Sequence, residues 1–499
     1  MPGLFDALQT ATRGLTVTQR SLATTGHNIA NVNTPGYSRQ RSVVVAGTPQ
    51  PDAAGTIGSG VEQLTVERIV DQFVNTRLVS ETTRFAGLDA EASLYREIEA
   101  IVNDQLTEGL SDELSGFFDA LADLSSSTTP GQPVERGQVL AAGEALVDTV
   151  HRWDNQLRTL QRDTDRGIVG LIPEINALAT EIAELNGRIA EAETLSPAND
   201  LRDRQDRLIL DLAERIEITT LTTDDGSVSV RLASGLSLVD RRVAGQLEAV
   251  VDPANPNPLD ATFSQVYYVG AGSSFDVTDQ ITGGQLGSLV QGREQVIAGT
   301  IADLDAFVYT LVDTFNTQHR LGVGLVDDGA NDFFADMSTR PTIDGAARDF
   351  SIAAAIDPDQ GGTTSNIAAG DRANVGGGLP GEDGDTEWVR DVLAGIRTER
   401  VTGYLAGDVP GVPTGNSAGI AANLINLTGE VGQRTRTANR ALEQQEALLQ
   451  SVQDRRDSIS TVSIDEEVAE LVKLQSNFQA NARVVRTVSE MIQDLFDAI

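Results

Sequence analysis

A seven-residue apolar repeat opens and closes this chain, and it limits the possible folds more than any other feature. Near the start Leu8, Leu15, Leu22 and Ile29 recur every seven residues, with Leu4, Ala11, Thr18, Thr25 and Val32 between them at 3-and-4 spacing. At the other end Ile464, Leu471, Phe478, Val485, Ile492 and Ile499 repeat, flanked by Val468, Ala482 and Phe496. Such spacing holds one apolar stripe on one side of a helix, which is the pattern of a coiled-coil seam. The pattern alone fits a core-facing globular helix equally well. Position favours the seam, because chain ends are ordinarily the least ordered parts of a protein. Ser463 lies three residues before Glu466, a capping-box spacing, and Asp465, Glu466 and Glu467 sit where the helix dipole favours negative charge.

Between the ends the periodicity predicts helix, strand and helix again. Helical patterns run from about Val66 to Leu124 and from about Val139 to Ile216, with breaks near 125–133 and 196–199. Pro173 is expected just ahead of the run Ile175, Ile182 and Ile189, where a proline at a helix start loses nothing. From Ile218 the period becomes two, with Val228, Val230 and Leu232 facing one way after an Asp225-Gly226 turn. Leu247–Val251 and Phe263–Val269 extend this into a small antiparallel sheet. Helix returns near Leu286–Thr317, a Gly-, Asp- and Pro-rich stretch fills Leu325–Gly415, and Val431, Ala438, Leu442, Leu449, Val452 and Ile459 resume helical spacing. The expected fold is mainly α and elongated, with terminal coiled-coil helices, a long helical bundle and an inserted small antiparallel β domain. Its expected domains are 1–60 with 463–499, then 61–220 with 284–325 and 416–462, and an outer unit of 221–283 with 326–415.

Charge separates these parts. The net charge is −36, which opposes sequence-independent binding to nucleic acid. Residues 1–60 carry +2 and residues 463–499 carry −4, whereas 221–420 carry −17. A strongly charged middle suits solvent, and near-neutral ends can meet copies of themselves with little repulsion. The absence of cysteine excludes disulfide scaffolds, thiolate metal sites and cysteine nucleophiles. No window of 18 consecutive apolar residues occurs, and the first residues lack the basic and apolar blocks of a signal peptide, so neither membrane insertion nor Sec export is expected.

Little else suggests catalysis. His27, His151 and His319 are scattered without acidic or histidine partners at ligand spacing. Asp327–Asp332 and Asp383–Glu387 resemble calcium loops in composition but lack the alternating register and closing glutamate. Gly376-Gly377-Gly378 neither follows a strand nor opens a helix, so phosphate binding is not expected there. No cofactor and no catalytic residue are expected.

One run is specific: Asn28-Ile29-Ala30-Asn31-Val32-Asn33-Thr34-Pro35-Gly36-Tyr37-Ser38-Arg39-Gln40. Pro35 disfavours helix at Thr34, Gly36 permits a turn, and the asparagines can cap backbone groups where the chain reverses. The run resembles the N-terminal signature of bacterial flagellar axial proteins, the rod, hook and hook-associated family, through Asn28, Ala30, Asn31, Thr34, Gly36 and Tyr37. Asn199–Leu208, Phe315–His319, Ile464–Glu467 and Leu474–Val485 narrow the resemblance to the first hook-filament junction proteins, the FlgK family. Larger members carry a further outer sheet domain where this chain has only loop-like sequence between about Asn331 and Gly415.

The resemblance implies a structural part of the extracellular bacterial flagellum that is exported through the flagellar type III channel. It implies a junction layer between hook and filament, built from copies of the chain. The implied neighbours are hook protein, a second junction protein or the filament side, and an export chaperone. It also implies that Leu8, Leu15, Leu22, Ile29, Ile464, Leu471, Phe478, Val485 and Ile492 line paired axial helices. Hook or distal rod protein is the alternative within the family. A secreted calcium-stabilised adhesin or enzyme is the alternative outside it, and metal-dependent stability would mark it.

Overall fold

The computed structural model describes residues 2–497 apart from 53–54, 103–108, 129–130, 195, 224–225, 271–272, 327–329, 372–385 and 398–399. Ile499, the Asp225 half of the turn, the Asp327 and Asp383 loops and the triple glycine therefore fall wholly or partly outside the described residues. Helix α1 (Pro2–Ala30) is followed by a hairpin of β1 (Gln40–Ala46) and β4 (Val61–Arg68), tipped by β2 (Gln50–Asp52) and β3 (Gly55–Ile57). Strand β4 corrects two expectations. Residues 61–68 are not helix, and a boundary at residue 60 would divide one antiparallel ladder. The helix begins at Gln72, where the Asp71 carboxylate accepts from the Phe73 and Val74 amides.

Helices α2 (Gln72–Val102), α3 (Leu110–Ser126), α4 (Pro133–Ala192) and α5 (Asn199–Arg215) form the body. Pro133, not Pro173, starts a helix. Helix α4 runs for 60 residues, and Pro173 lies inside it. Its exposed position puts the ring and the missing amide donor toward water, where the disruption is tolerated. Two antiparallel sheets follow. One is β5 (Ile218–Thr222), β6 (Val228–Leu232), β7 (Ser237–Asp240) and β8 (Val243–Ala244), and the other is β9 (Gln246–Val250), β10 (Gln265–Gly270) and β11 (Ser273–Asp276).

Helix α6 (Gly284–Gln291), a π-helical turn (Gly292–Ile297) and α7 (Ala298–His319) make one helical run. By length and composition Gly284–His319 could cross a membrane, but 72% of its apolar window is buried in the protein, as befits a core helix. After short ladders β12 (Gly322–Val323) with β13 (Gly370–Asp371), helix α8 (Glu387–Asp391), and β14 (Val401–Thr402) with β15 (Ser417–Ala418), the chain returns through α9 (Ile420–Ser460) and α10 (Ile464–Asp497).

Two large hydrophobic clusters form the interior. The first joins α2, α3, the first half of α4, α7 and the start of α9 with Phe333, Phe334, Phe350, Ile367 and Leu393. The second joins the latter half of α4, α5 and α6 with Val230, Leu238, Leu247 and Val266 of the sheets. This corrects the expected outer unit: 221–283 and 326–415 pack into different clusters, each against body helices. Apolar side chains inside the Gly- and Asp-rich stretch, above all the two adjacent phenylalanines, account for the difference.

Candidate functional site

Helices α1 and α10 lie antiparallel. A Cβ placed on Gly14 would come 3.0 Å from the Asn481 side chain, and the Asn28 amide reaches the Glu467 carboxylate at 3.1 Å. The innermost line of α1 is Ala11, Gly14, Thr18, Ser21, Thr25 and Asn28, while Leu8, Leu15, Leu22 and Ile29 flank it half-buried. Small side chains let the backbones approach, and the Thr18 hydroxyl is satisfied by donating to the Gly14 carbonyl at 2.7 Å.

On α10 the innermost line is Glu467, Leu474, Asn481 and Val488, beside half-buried Leu471, Phe478, Val485 and Ile492. Ile464 is 52% exposed, so this seam position lies outside the pair. The leucine, isoleucine, phenylalanine and valine positions of the repeat thus mark the shoulder of the helix pair, and its centre sets the small and polar line of α1 against Leu474, Asn481 and Val488 of α10. Phe5, Val472, Met491 and Phe496 are exposed as well.

Three segments meet at the root of this pair. After α1 ends, Thr34 Oγ donates to Asn31 Oδ1 and the Asn31 amide returns to the His27 carbonyl, closing a turn completed by Gly36 at φ +74°. Gly36 faces the Arg207 side chain, where a Cβ would come within 2.5 Å. The turn delivers Tyr37, whose hydroxyl donates to Asn28 Oδ1 at 2.9 Å. The same oxygen accepts from the Gln40 amide, and Asn28 Nδ2 donates to the Gln40 carbonyl. Burial, reinforced by Asp200, Asp203 and Glu467, pushes the Tyr37 phenol well above its ordinary range, so it remains a donor. Of the motif residues, Ala30 and Thr34 are exposed, and Ala30 only ends the helix.

Residues outside the expected set lock the junction. Arg39 bridges Glu467 at 2.7 Å and Glu466 at 2.6 Å, so the expected capping glutamate serves an inter-segment ion pair. The Asp203 carboxylate accepts from the Ser38 amide and pairs with Arg68, which also holds Asp206 at 2.8 Å. Burial opposes the Arg68 charge, but the two carboxylates outweigh it and raise its pKa. Burial raises that of Asp206 despite Arg68. His27 meets Asp200 at 3.3 Å.

Arg39, Asp203 and Glu467 lie within three of the five quoted sequence runs, whereas Arg68 carries no local signal because its role depends on β4 crossing α5. His319 is a satisfied core histidine: Nδ1 bonds the Asn331 carbonyl and Nε2 accepts from the Ala368 amide. Among the described residues no group of three or more His, Asp or Glu side chains could hold a metal.

A long helical body whose two chain ends return as one helix pair, locked at its root, defines the axial class of flagellar subunit. Residues 8–37 match the family described as flagella basal body rod protein, and 453–498 match the flagellar basal body rod FlgEFG protein C-terminal family. Residues 95–334 match the flagellar hook-associated protein FlgK helical domain. Flagellar hook-associated protein 1 of Bacillus subtilis (strain 168) is 26% identical over 528 residues, covering 100% of this chain and 99% of that protein. The Escherichia coli (strain K12) protein of the same name is 24% identical over 566 residues, covering 99% of each. The flagellar hook junction protein FlgK from Burkholderia pseudomallei shares the fold, with TM-score 0.60 and 14% identity over 77% of this chain and 100% of that one. The chain belongs to the flagellar hook-associated protein 1 family, a structural family of the bacterial flagellum and not an enzyme family.

Proposed function

We propose that this chain is a structural subunit of the junction layer between hook and filament, assembled from copies of itself through the α1–α10 pair. Hook protein lies on one side, and a second junction protein or the filament side on the other. An export chaperone escorts the subunit to the flagellar type III channel, which delivers it outside the cell. The observation that carries this reading is the pair itself. Its centre is closed by small residues of α1 against Leu474 and Val488 of α10, yet Leu471, Phe478 and Val485 remain only half-buried and Val472, Met491 and Phe496 are exposed. Such an apolar surface on a near-neutral part of an acidic chain fits burial against further copies.

Replacing Phe478 with Asp buries an unpaired charge in every interface of the layer, at several kcal/mol per copy. Phe478→Asp should leave monomer helicity unchanged and stop swimming, with hooks lacking filaments in electron micrographs. Ser476→Asp, on the polar face near Lys473, should swim normally. Normal filaments with Phe478→Asp would sink the proposal.

A further inference from the structure

The Thr34-Pro35-Gly36 turn and helices α2, α5 and α9 enclose a cavity of about 500 Å3 beside the root of the helix pair. Leu78, Ile209 and Leu210 give it an apolar floor, while Arg68, Arg202, Arg207 and Arg456 outnumber its carboxylates, Asp206 and Asp457. Arg68 and Arg202 are already committed to Asp203, Asp206 and Glu193. Arg456 holds only its neighbour Asp457, at 3.3 Å, and Arg207 takes part in no ion pair among the described residues. In a chain of net charge −36 acidic surface is abundant, so this pocket, with Arg207 outside any described ion pair above a greasy floor, selects an occupant that is both acidic and apolar.

It is complementary to the opposite end of the helix pair. The last two turns of α10 carry Glu490, Asp494 and Asp497 with no basic residue after Arg486, and the antiparallel pairing sets Asp6 of α1 beside them. Phe496, 70% exposed, and Met491 and Phe5 make the same tip apolar.

We infer that the acidic, apolar tip of one copy docks in the arginine-rimmed cavity of the next. Asp494 and Asp497 meet Arg207 and Arg456, and Phe496 lies on the floor. The inference rests on the axial reading and specifies which surfaces join. Exposed charge pairs contribute little by themselves and set register, while burial of Phe496 supplies the attraction. Tip and cavity are different surfaces at opposite ends of a helix of 34 residues, about 50 Å long. Their contact is therefore heterologous, and its repetition produces a ring or an open helical row and not a closed pair.

The test is a charge exchange in cells making the full chain. Arg207→Glu with Arg456→Glu, or Asp494→Arg with Asp497→Arg, should each cut the chain retained in flagella by roughly tenfold or more. All four together should restore retention to within about threefold of the unmodified chain, because rescue requires the two surfaces to touch. Retention by either pair alone, or loss without rescue, overturns the inference. Since the chain has no cysteine, Gln453→Cys in the cavity lining with Leu495→Cys beside Phe496, which leave Phe496 and the floor intact, supply a second measure on retained protein. Oxidation should give a ladder of cross-linked multimers, and monomer alone counts against the contact. If both charge pairs swim while Phe478→Asp does not, the axial reading stands and only this contact falls; if Phe478→Asp swims as well, both fall.

Discussion

Asn28 uses both ends of its amide on groups from three parts of the chain: the Tyr37 hydroxyl, both backbone groups of Gln40 and the Glu467 carboxylate. Asn28→Ala leaves those buried partners unsatisfied and should cost about 2–3 kcal/mol in urea unfolding at pH 7. Asn28→Asp should cost more, because it sets a second carboxylate against Glu467, and the gap between the two variants should close on acidification as the pair takes up a proton. His319 supplies a separate pH signature. Burial lowers its pKa from 6.5 to about 4, so between those values the unfolded chain binds more protons than the folded one. Its stabilising contribution is present above pH 6.5 and is lost as pH falls toward 4, by about 3 kcal/mol. Asp305, raised by burial to about 6, acts with the opposite sign over much of the same window. The comparison with His319→Gln removes the Asp305 effect. The stability difference between the two proteins should fall steadily from pH 7 to pH 4, and a constant difference would contradict the burial argument.

The two terminal helices show what an apolar heptad can and cannot tell. Their existence, their amphipathic character and the stop at Thr34-Pro35-Gly36 were legible because spacing, proline and glycine act locally. The centre of the pair was legible only in part: Thr18 stands in the repeat and Asn28 opens the specific run, but Gly14 and Ser21 are unremarkable singly and become an interface only when Leu474 and Asn481 approach them. The same limit hid β4, whose exposed Leu64 breaks a clean alternation, and Pro173, which a solvent-facing side of α4 tolerates. At Gly14 the nearest obstacle to a Cβ is the end of the flexible Asn481 side chain. Gly14→Ala should therefore be tolerated, with up to about 1 kcal/mol of helix propensity gained. Gly14→Leu should pry the helices apart, and limited proteolysis should then release both chain ends faster than in the unmodified protein. Equal release rates would place the helix contact elsewhere.

Across the whole molecule, α4 threads two cores that are separated by a polar waist. Its buried apolar residues stop at Leu157 in the first cluster and resume at Ile168 in the second. Between them Gln161 donates to the Arg293 carbonyl, and Asp165 accepts from Arg293 and from the Ser264 amide. Arg293 is fully buried in the π-helical turn and also lies over the Phe263 ring at 5.4 Å. Ion pairing at such a waist orients the sheets on the helices, but it joins the cores less strongly than continuous apolar packing would. Arg293→Leu leaves both of its partners, Asp165 and Glu294, without their counter-charge, at about 3–5 kcal/mol, and should uncouple the two cores. Trp153 and Trp388, the only tryptophans, both pack in the first cluster, whereas circular dichroism also follows the latter half of α4 and α5 in the second. In the unmodified chain, urea unfolding followed by tryptophan fluorescence and by circular dichroism should nearly coincide. In Arg293→Leu part of the helix signal should be lost at lower urea than the fluorescence change, because the second core opens first. Adding Asp165→Leu and Glu294→Gln removes both orphaned charges and should bring the two curves back together; if they stay apart, hydrophobic discontinuity and not the buried ion pairs governs the coupling.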